Sequence, residues 1–169
     1  MTDGMSDAAS GLTHVRADGS AHMVDVSAKA VTAREATARG RVLLSGAAVG
    51  ALRSGAVPKG DALAVARIAA IQAAKRTPDL IPLAHPVAVH GVTVDLTVVD
   101  DGVDLVATVR TADRTGIEME ALTAVCVGAL ALVDMVKAVD KHARITDVRV
   151  TAKSGGRSGD WSESPEVAW

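Results

Sequence analysis

A strict alternation of apolar and polar residues marks the middle of the chain. Apolar residues fill every second position of 92–98, and the same period recurs over 103–109. The "DDG" between the two runs favours a tight turn. The pattern therefore predicts a β-hairpin whose apolar side chains cover one face of a sheet.

Two further stretches decide the number of strands. "ARITDVRVTA" (143–152) alternates again and predicts a third strand, with Thr146, Val148 and Val150 on one side. "TAREATARGRVLL" is ambiguous, because its composition suits a helix while its alternation and final "RVLL" suit a strand.

Three stretches carry helical signals. "SGAAVGALRSG" predicts a short helix with Ser45 as a candidate cap. "KGDALAVARIAAIQAAKRTPDL" predicts a longer helix that is capped by Asp61 and ended by Pro78. A third helix runs from Ile117 to about Val139 and is apolar on nearly every side, so we expect it to be covered on several sides.

The preferred arrangement of these elements is an α+β, ferredoxin-like fold. If "TAREATARGRVLL" is a strand, the order becomes β-α-β-β-α-β, and each helix has one face of an antiparallel sheet to cover. The 169 residues suit one domain. We expect a disordered segment over 1–11, a single domain over 12–161 and a flexible tail over 162–169.

Composition narrows the class of protein. Apolar residues make up 49% of the chain, enough for a sizeable core. The net charge of −2 argues against a nucleic-acid partner, and the absence of Phe and Tyr argues against base stacking. No uninterrupted apolar run reaches the length of a membrane span and the acidic N-terminus is no signal peptide, so we expect no membrane partner and a cytoplasmic location. Cys126 lies in an apolar run and is expected to be buried.

Charges at the end of the long apolar helix are the first candidate chemistry. Asp134, Lys137 and Lys141 follow an i, i+3, i+7 spacing and share one side, whereas Asp140 points elsewhere. The alternative is an ordinary solvated last turn, in which the lysines complement the helix dipole.

The same helix begins with Glu118 and Glu120, which are also ordinary partners of a helix N-terminus. Asp134 lies 14 residues after Glu120. That spacing corresponds to roughly 21 Å along a helix axis. If both ends are functional, the protein has two sites or one site assembled from different chains.

Three other segments add candidates. In "LIPLAHPVAVHG", either a structural hydrogen bond or catalysis would account for His85. "AKSGGRSGDW" joins Lys153 and Arg157 to glycines that can turn backbone N–H groups towards an anion, although a flexible tail is the alternative. Lys59 precedes a helix start, which is another natural anion site. No histidine spacing typical of a metal site is present.

Taken together, these segments resemble cyclic pyranopterin monophosphate synthase, the C accessory protein family of molybdenum cofactor biosynthesis. The resemblance is carried by "LIPLAHP", "TGIEMEALTA", "DMVKAVDK" and "KSGGRSGDW", with "AHMVDVSAK" and "KGDALAVARIAAIQAAKRT" upstream. It runs in the family's order from about Leu12 to Trp161. Each segment alone is a weak signal, and the combination is highly specific.

The resemblance implies a lyase that converts 3′,8-cyclo-7,8-dihydro-GTP to cyclic pyranopterin monophosphate and releases pyrophosphate. It also implies a homohexamer, a trimer of dimers with active sites at subunit interfaces. It implies no required cofactor and leaves open whether Mg²⁺ accompanies the triphosphate.

Residue roles follow from the same resemblance, and no metal ligand is among them. The family's catalytic residues match Asp134, Lys137, Lys59 and Lys153. Its substrate-binding segments match Leu83, Ala84, His85, Glu118, Met119 and Glu120, with Lys75 and Arg157 as expected triphosphate partners.

Two positions depart from the family pattern. Ala84 stands where many members have Cys, which excludes a catalytic thiol there. Arg157 stands where many have Lys. A guanidinium does not realistically release a proton, so Arg157 is expected to bind an anion or to be structural.

Two other classes of protein share the expected fold: a non-catalytic sensor of a nucleotide or small anion, and a structural oligomer-forming subunit. Neither requires Asp134 together with Lys59, Lys137 and Lys153. That combination favours the synthase.

Overall fold

The computed structural model describes residues 15, 16 and 18–164 and shows a five-stranded sheet packed against helices. The expected disordered segment 1–11 and residues 165–169 of the expected tail lie outside the described residues. The elements in chain order are β1 (Thr32–Leu43), α1 (Gly46–Ser54), α2 (Ala62–Ala74), α3 (Thr77–Leu80), β2 (Gly91–Val99), β3 (Gly102–Asp113), α4 (Glu118–Val136), β4 (Arg144–Ser154) and β5 (Trp161–Ser162).

The sheet has the order β2-β3-β1-β4-β5, and every neighbouring pair is antiparallel. With helices after β1 and after β3, the first four strands form the β-α-β-β-α-β unit. The predicted ferredoxin-like α+β fold is confirmed. The ambiguous segment "TAREATARGRVLL" is β1, which pairs with β3 on one side and β4 on the other.

The core lies between the sheet and the pair α2 and α4. The alternating residues of β3 point into it as predicted, because Val103, Leu105, Ala107 and Val109 are all buried. Small residues let the helices approach closely: a Cβ on Gly128 of α4 would lie 3.1 Å from the Cβ of Ala70. The buried residues of α2 are all alanines, and these small side chains allow the close contact with α4.

Strand β4 departs from the predicted alternation. Arg39 pairs with Arg149 and Arg41 pairs with Thr146, so two steps along β1 correspond to three along β4. Asp147 takes a φ of 55° at this bulge. The prediction that Thr146 shares a side with Val148 is therefore wrong, since Val148 packs on the core and Thr146 pairs with outward-facing Arg41.

The predicted helix caps are confirmed, but the predicted end of α2 is not. The N–H of Ala48 donates to Ser45 Oγ at 3.4 Å, and the N–H of Ala64 donates to Asp61 Oδ1 at 2.9 Å. However, α2 ends at Ala74, and Pro78 lies in the first turn of α3. A proline fits there because the first turn has no intrahelical bond to lose.

Helix α4 ends at Val136, three residues before the expected end. The chain then turns so that Asp140 is buried, where its carboxylate accepts from the N–H of Ser45 at 2.6 Å and of His142 at 2.8 Å. These bonds lower the pKa of Asp140, that from Ser45 first. Asp140 therefore joins the start of α1 to the exit of α4, which is a structural role.

Helix α4 is covered on several sides, as predicted, since it packs on the sheet and on α2, but one side is uncovered and the prediction for Cys126 is wrong. Cys126 is exposed rather than buried, and Leu130 is 60% exposed. In a two-layer fold the sheet and the neighbouring helix cover α4, and the side that faces away from both is left open. By length and composition α4 could cross a membrane, but 56% of its most apolar stretch is buried in the protein, as in a core helix.

The C-terminal segment remains attached to the sheet beyond residue 161. Ser162 pairs with Ala152, and Glu163 binds Arg149 at 2.8 Å. Residues 162 and 163 thus contact strand β4.

Gly40 is predicted to be essential for the close approach of α4. A Cβ at this position would lie 2.6 Å from Val125 Cγ1, so Gly40→Ala should destabilise the fold by roughly 1–3 kcal/mol. The matched control is Gly50→Ala, because Gly50 lies in α1 with nothing within 4 Å of an added Cβ. This control should be neutral or stabilising by up to about 1 kcal/mol. Chemical denaturation measures the free energy of unfolding of both variants. Equal changes in the two variants would contradict the packing argument.

Candidate active site

A cavity of about 540 Å³ opens at the N-terminal end of α4. Its walls come from the N-terminal arm (residues 22–31), the segment between α3 and β2, the start of α4 and the glycine loop (residues 154–160). The lining residues are Val24, Val26, Lys29, Leu83, Ala84, His85, Val87, Thr115, Gly116, Glu118, Met119, Glu120 and Arg157.

Sheet register brings these segments to one edge. Thr32 pairs with Asp113 and Glu35 pairs with Ser154, so the start of β1 lies beside the ends of β3 and β4. The arm precedes β1, the start of α4 follows β3, and the glycine loop follows β4. Antiparallel pairing therefore brings three segments that are far apart in sequence to the same edge of the sheet.

The cavity collects seven of the eight predicted substrate-binding residues. These are Leu83, Ala84, His85, Glu118, Met119, Glu120 and Arg157. The eighth, Lys75, is exposed at the C-terminal end of α2 and does not line the cavity.

His85 is a half-buried residue whose ring Nε2 lies 2.6 Å from the carbonyl oxygen of Val24. This contact joins the segment between α3 and β2 to the arm. The structural hydrogen bond considered from sequence thus exists, and the same side chain also faces the cavity.

Lys153 connects the glycine loop with α4. Its Nζ lies 3.3 Å from Glu118 Oε1 and donates to Ser158 Oγ at 2.5 Å. Lys153 pairs with buried Ala36, so it points to the helix side of the sheet. These three polar residues also border a void of about 80 Å³ next to the main cavity.

The glycine loop requires its glycines. Gly155 and Gly156 have φ values of 82° and 78°, which favour glycine. A Cβ on Gly155 would collide with the carbonyl oxygen of Ala33, and one on Gly156 would collide with the guanidinium of Arg34. The loop therefore lies directly on the start of β1, which fixes the position of Arg157.

Glu120 is almost fully buried, at 2% exposure, beneath the cavity. Burial raises the pKa of its carboxyl above the ordinary 4.5, and the nearby charge of Glu118 adds to the rise. A ligand that donates hydrogen bonds to the ionised carboxylate would offset the cost of burying it.

A second cluster lies at the other end of α4. Asp134 accepts from Lys137 Nζ and from Lys59 Nζ, each at 2.7 Å. These two bonds, that of Lys137 first, lower the pKa of Asp134 to about 2. All three side chains are 39–59% exposed, so two lysines and one carboxylate present a net positive surface to solvent.

The structure does not bring the two groups together within one chain. The cavity is at the first turn of α4 and the Lys59–Asp134–Lys137 cluster is at the last. The axial separation of roughly 21 Å expected from helix geometry therefore remains.

Sequence reasoning missed Lys29 and Arg34. Lys29 lines the cavity, while Arg34 lies under Gly156 and donates from Nε to the carbonyl oxygen of Asp113 at 2.9 Å. Lys29 belongs to "AHMVDVSAK", one of the segments that carry the family resemblance. However, the position of Lys29 in the sequence does not by itself predict that it lies near Glu120. Among the described residues, no group of three or more His, Cys, Asp or Glu side chains is arranged to hold a metal ion.

Fold and site together define an α+β protein whose cavity is lined by carboxylates and cations. A family model described as the MoaC family matches residues 23–156, and the chain belongs to that family. The resemblance seen in the sequence is confirmed.

Curated relatives match along most of their length. A Streptomyces avermitilis protein is 67% identical over 153 residues, 90% of each chain. A Nocardioides sp. protein is 65% identical over 161 residues, 94% of this chain and 99% of its own. A Corynebacterium glutamicum protein is 58% identical over 151 residues, 89% of this chain and 97% of its own. Each of the three carries the name cyclic pyranopterin monophosphate synthase.

Replacing the buried Glu120 carboxyl should stabilise the free protein at neutral pH. Because its folded pKa is raised, the folded state holds the proton more tightly than the unfolded state. The contribution of Glu120 to stability is therefore greatest below its ordinary pKa and is lost as pH rises through the raised value. Glu120→Gln removes this loss, so its advantage over wild type should be absent below about pH 4.5 and grow as the pH rises above it.

Thermal unfolding across pH measures this difference. The control is Glu163→Gln, which removes a carboxylate that Arg149 pairs with at 2.8 Å, away from Glu120, and should give no such gain. A Glu120→Gln protein that is less stable than wild type at pH 7 would contradict the argument.

Proposed function

We propose that this protein is a cyclic pyranopterin monophosphate synthase. It converts 3′,8-cyclo-7,8-dihydro-GTP to cyclic pyranopterin monophosphate and releases pyrophosphate, a step of molybdenum cofactor biosynthesis. The observation that carries the proposal is the Lys59–Asp134–Lys137 cluster in a chain 67% identical to a protein of that name.

The cavity supplies recognition in this proposal. Glu118 and Glu120 accept from the guanine-type N–H edge, since a carboxylate can accept two donors side by side. Leu83, Ala84 and Met119 form the apolar wall. His85 faces the ring, and Arg157 and Lys153 bind the triphosphate.

The lysine cluster supplies the chemistry. The purine-derived ring must open and close again as a pterin, which requires proton transfers to nitrogen and carbon. A ribose-derived hydroxyl then bonds to the innermost phosphorus, and the bond from that phosphorus to the pyrophosphate oxygen breaks. Asp134 is a weak base at neutral pH because its pKa is about 2, so the lysines donate protons and neutralise phosphate charge while Asp134 orients them.

A second copy of the chain completes the site in this proposal. The cavity of one subunit faces the Lys59–Asp134–Lys137 cluster of another, which removes the problem of their separation along α4. The uncovered side of α4 and the family resemblance support a homohexamer built as a trimer of dimers. The enzyme acts in the cytoplasm, needs no resident cofactor and has no nucleic-acid or membrane partner.

Pyrophosphate release from purified protein and the cyclised GTP intermediate tests the activity. Wild type should release pyrophosphate, and Asp134→Asn or Lys137→Ala should reduce the rate at least about 100-fold, because Lys137→Ala removes a proton donor and Asp134→Asn removes the carboxylate that orients both lysines. Asp79→Asn is the matched control, since Asp79 is also exposed and also in an i,i+3 ion pair. No release by wild type, or full activity of Asp134→Asn, would overturn the proposal.

Mixing two inactive variants tests the shared site. Lys137→Ala and Glu120→Gln damage opposite ends of α4, so a mixed dimer would contain one intact site and one doubly damaged site. Random mixing should restore roughly a quarter of wild-type activity, because half of the dimers are mixed and each has one intact site of two. If each subunit held a complete site, remixing would restore nothing.

A further inference from the structure

The N-terminal arm forms one wall of the cavity without belonging to a helix or to the sheet. Val24, Val26 and Lys29 line the cavity from this arm. Its internal bonds are local: the N–H of Ser27 donates to Asp25 Oδ1 at 2.8 Å, and the N–H of Lys29 donates to the Val26 carbonyl at 3.0 Å. Such turns shape the arm but do not attach it to the fold.

Side chains from the folded domain reach the arm's backbone. His85 contacts the carbonyl oxygen of Val24, and Arg114 donates from Nε to the carbonyl oxygen of Lys29 at 2.9 Å. The two anchors differ, because His85 also faces the cavity whereas Arg114 is not among the lining residues. Arg114 therefore contacts the arm without lining the cavity.

The backbone of Arg114 is itself held in place. It follows the last residue of β3, and its N–H donates to Asp113 Oδ1 at 2.6 Å. The carbonyl of Asp113 accepts from Arg34 Nε at 2.9 Å, next to the glycine loop. Arg114 thus links the rigid end of β3 to the one arm residue that brings a cation to the cavity.

We propose that Arg114 is a positioning residue that holds Lys29 at the cavity wall. The inference rests on the proposed function, because the cavity is taken as the substrate site. A restrained Lys29 meets the anionic substrate without first losing the freedom of a loose arm, which favours binding. The Lys59–Asp134–Lys137 cluster lies at the other end of α4 and is unaffected.

Steady-state kinetics and hydrogen exchange on the full chain test this role. Arg114→Ala should raise KM about 10-fold with kcat nearly unchanged, because one charge-assisted hydrogen bond is lost. Exchange at the backbone amides of the arm should increase in the same variant. Arg114→Lys keeps a hydrogen-bond donor, so its KM and its arm exchange should lie between those of wild type and of Arg114→Ala. Arg53→Ala is the control, as it removes an equal charge from the Arg53–Asp100 pair at the opposite end of the β2–β3 hairpin.

A double-mutant cycle separates positioning from a direct electrostatic effect. If Arg114 acts through Lys29, Arg114→Ala should add little to the KM of Lys29→Ala. Additive effects, or an unchanged KM in Arg114→Ala, would overturn the inference while leaving the proposed function intact. If wild type released no pyrophosphate, the proposed function would fail, and unchanged arm exchange in Arg114→Ala would separately overturn the anchoring.

Discussion

The close packing of α4 is the constraint on which the rest of this structure depends. Gly40 lies under Val125, and Gly128 lies against Ala70, so the helix sits nearer to β1 and α2 than ordinary side chains would allow. Contacts this tight leave the helix no room to slide or tilt. Both ends of α4 are therefore fixed relative to the sheet, and both ends carry candidate functional groups.

Two carboxylates on this one helix have opposite pKa shifts. Glu120 is buried and its pKa is raised, while Asp134 is exposed between two lysines and its pKa is lowered. The difference comes from their surroundings, since desolvation disfavours a charge and hydrogen-bonded cations favour it. One end suits ligand recognition, and the other suits a permanently ionised group that holds lysines in place.

The cavity depends on the sheet in a different way. Its walls are irregular segments, but each is attached to a strand end at the same edge, and the arm is further held by His85 and Arg114. The glycine loop cannot rise away from β1 without losing the close contact at Gly155. A rigid sheet with tethered loops is the usual way for a binding site to combine order with access.

The sequence by itself determined the β2–β3 hairpin, the caps Ser45 and Asp61, the helix α4 and, through its combined motifs, the family. These features are local, since periodicity, capping and motif order need no knowledge of neighbours. Only the tertiary structure decided the bulge at Asp147, the exposure of Cys126 and the place of Lys29 in the cavity. Each of these depends on a partner distant in sequence: the register against β1, the number of layers around α4, and the meeting of strand ends at one edge.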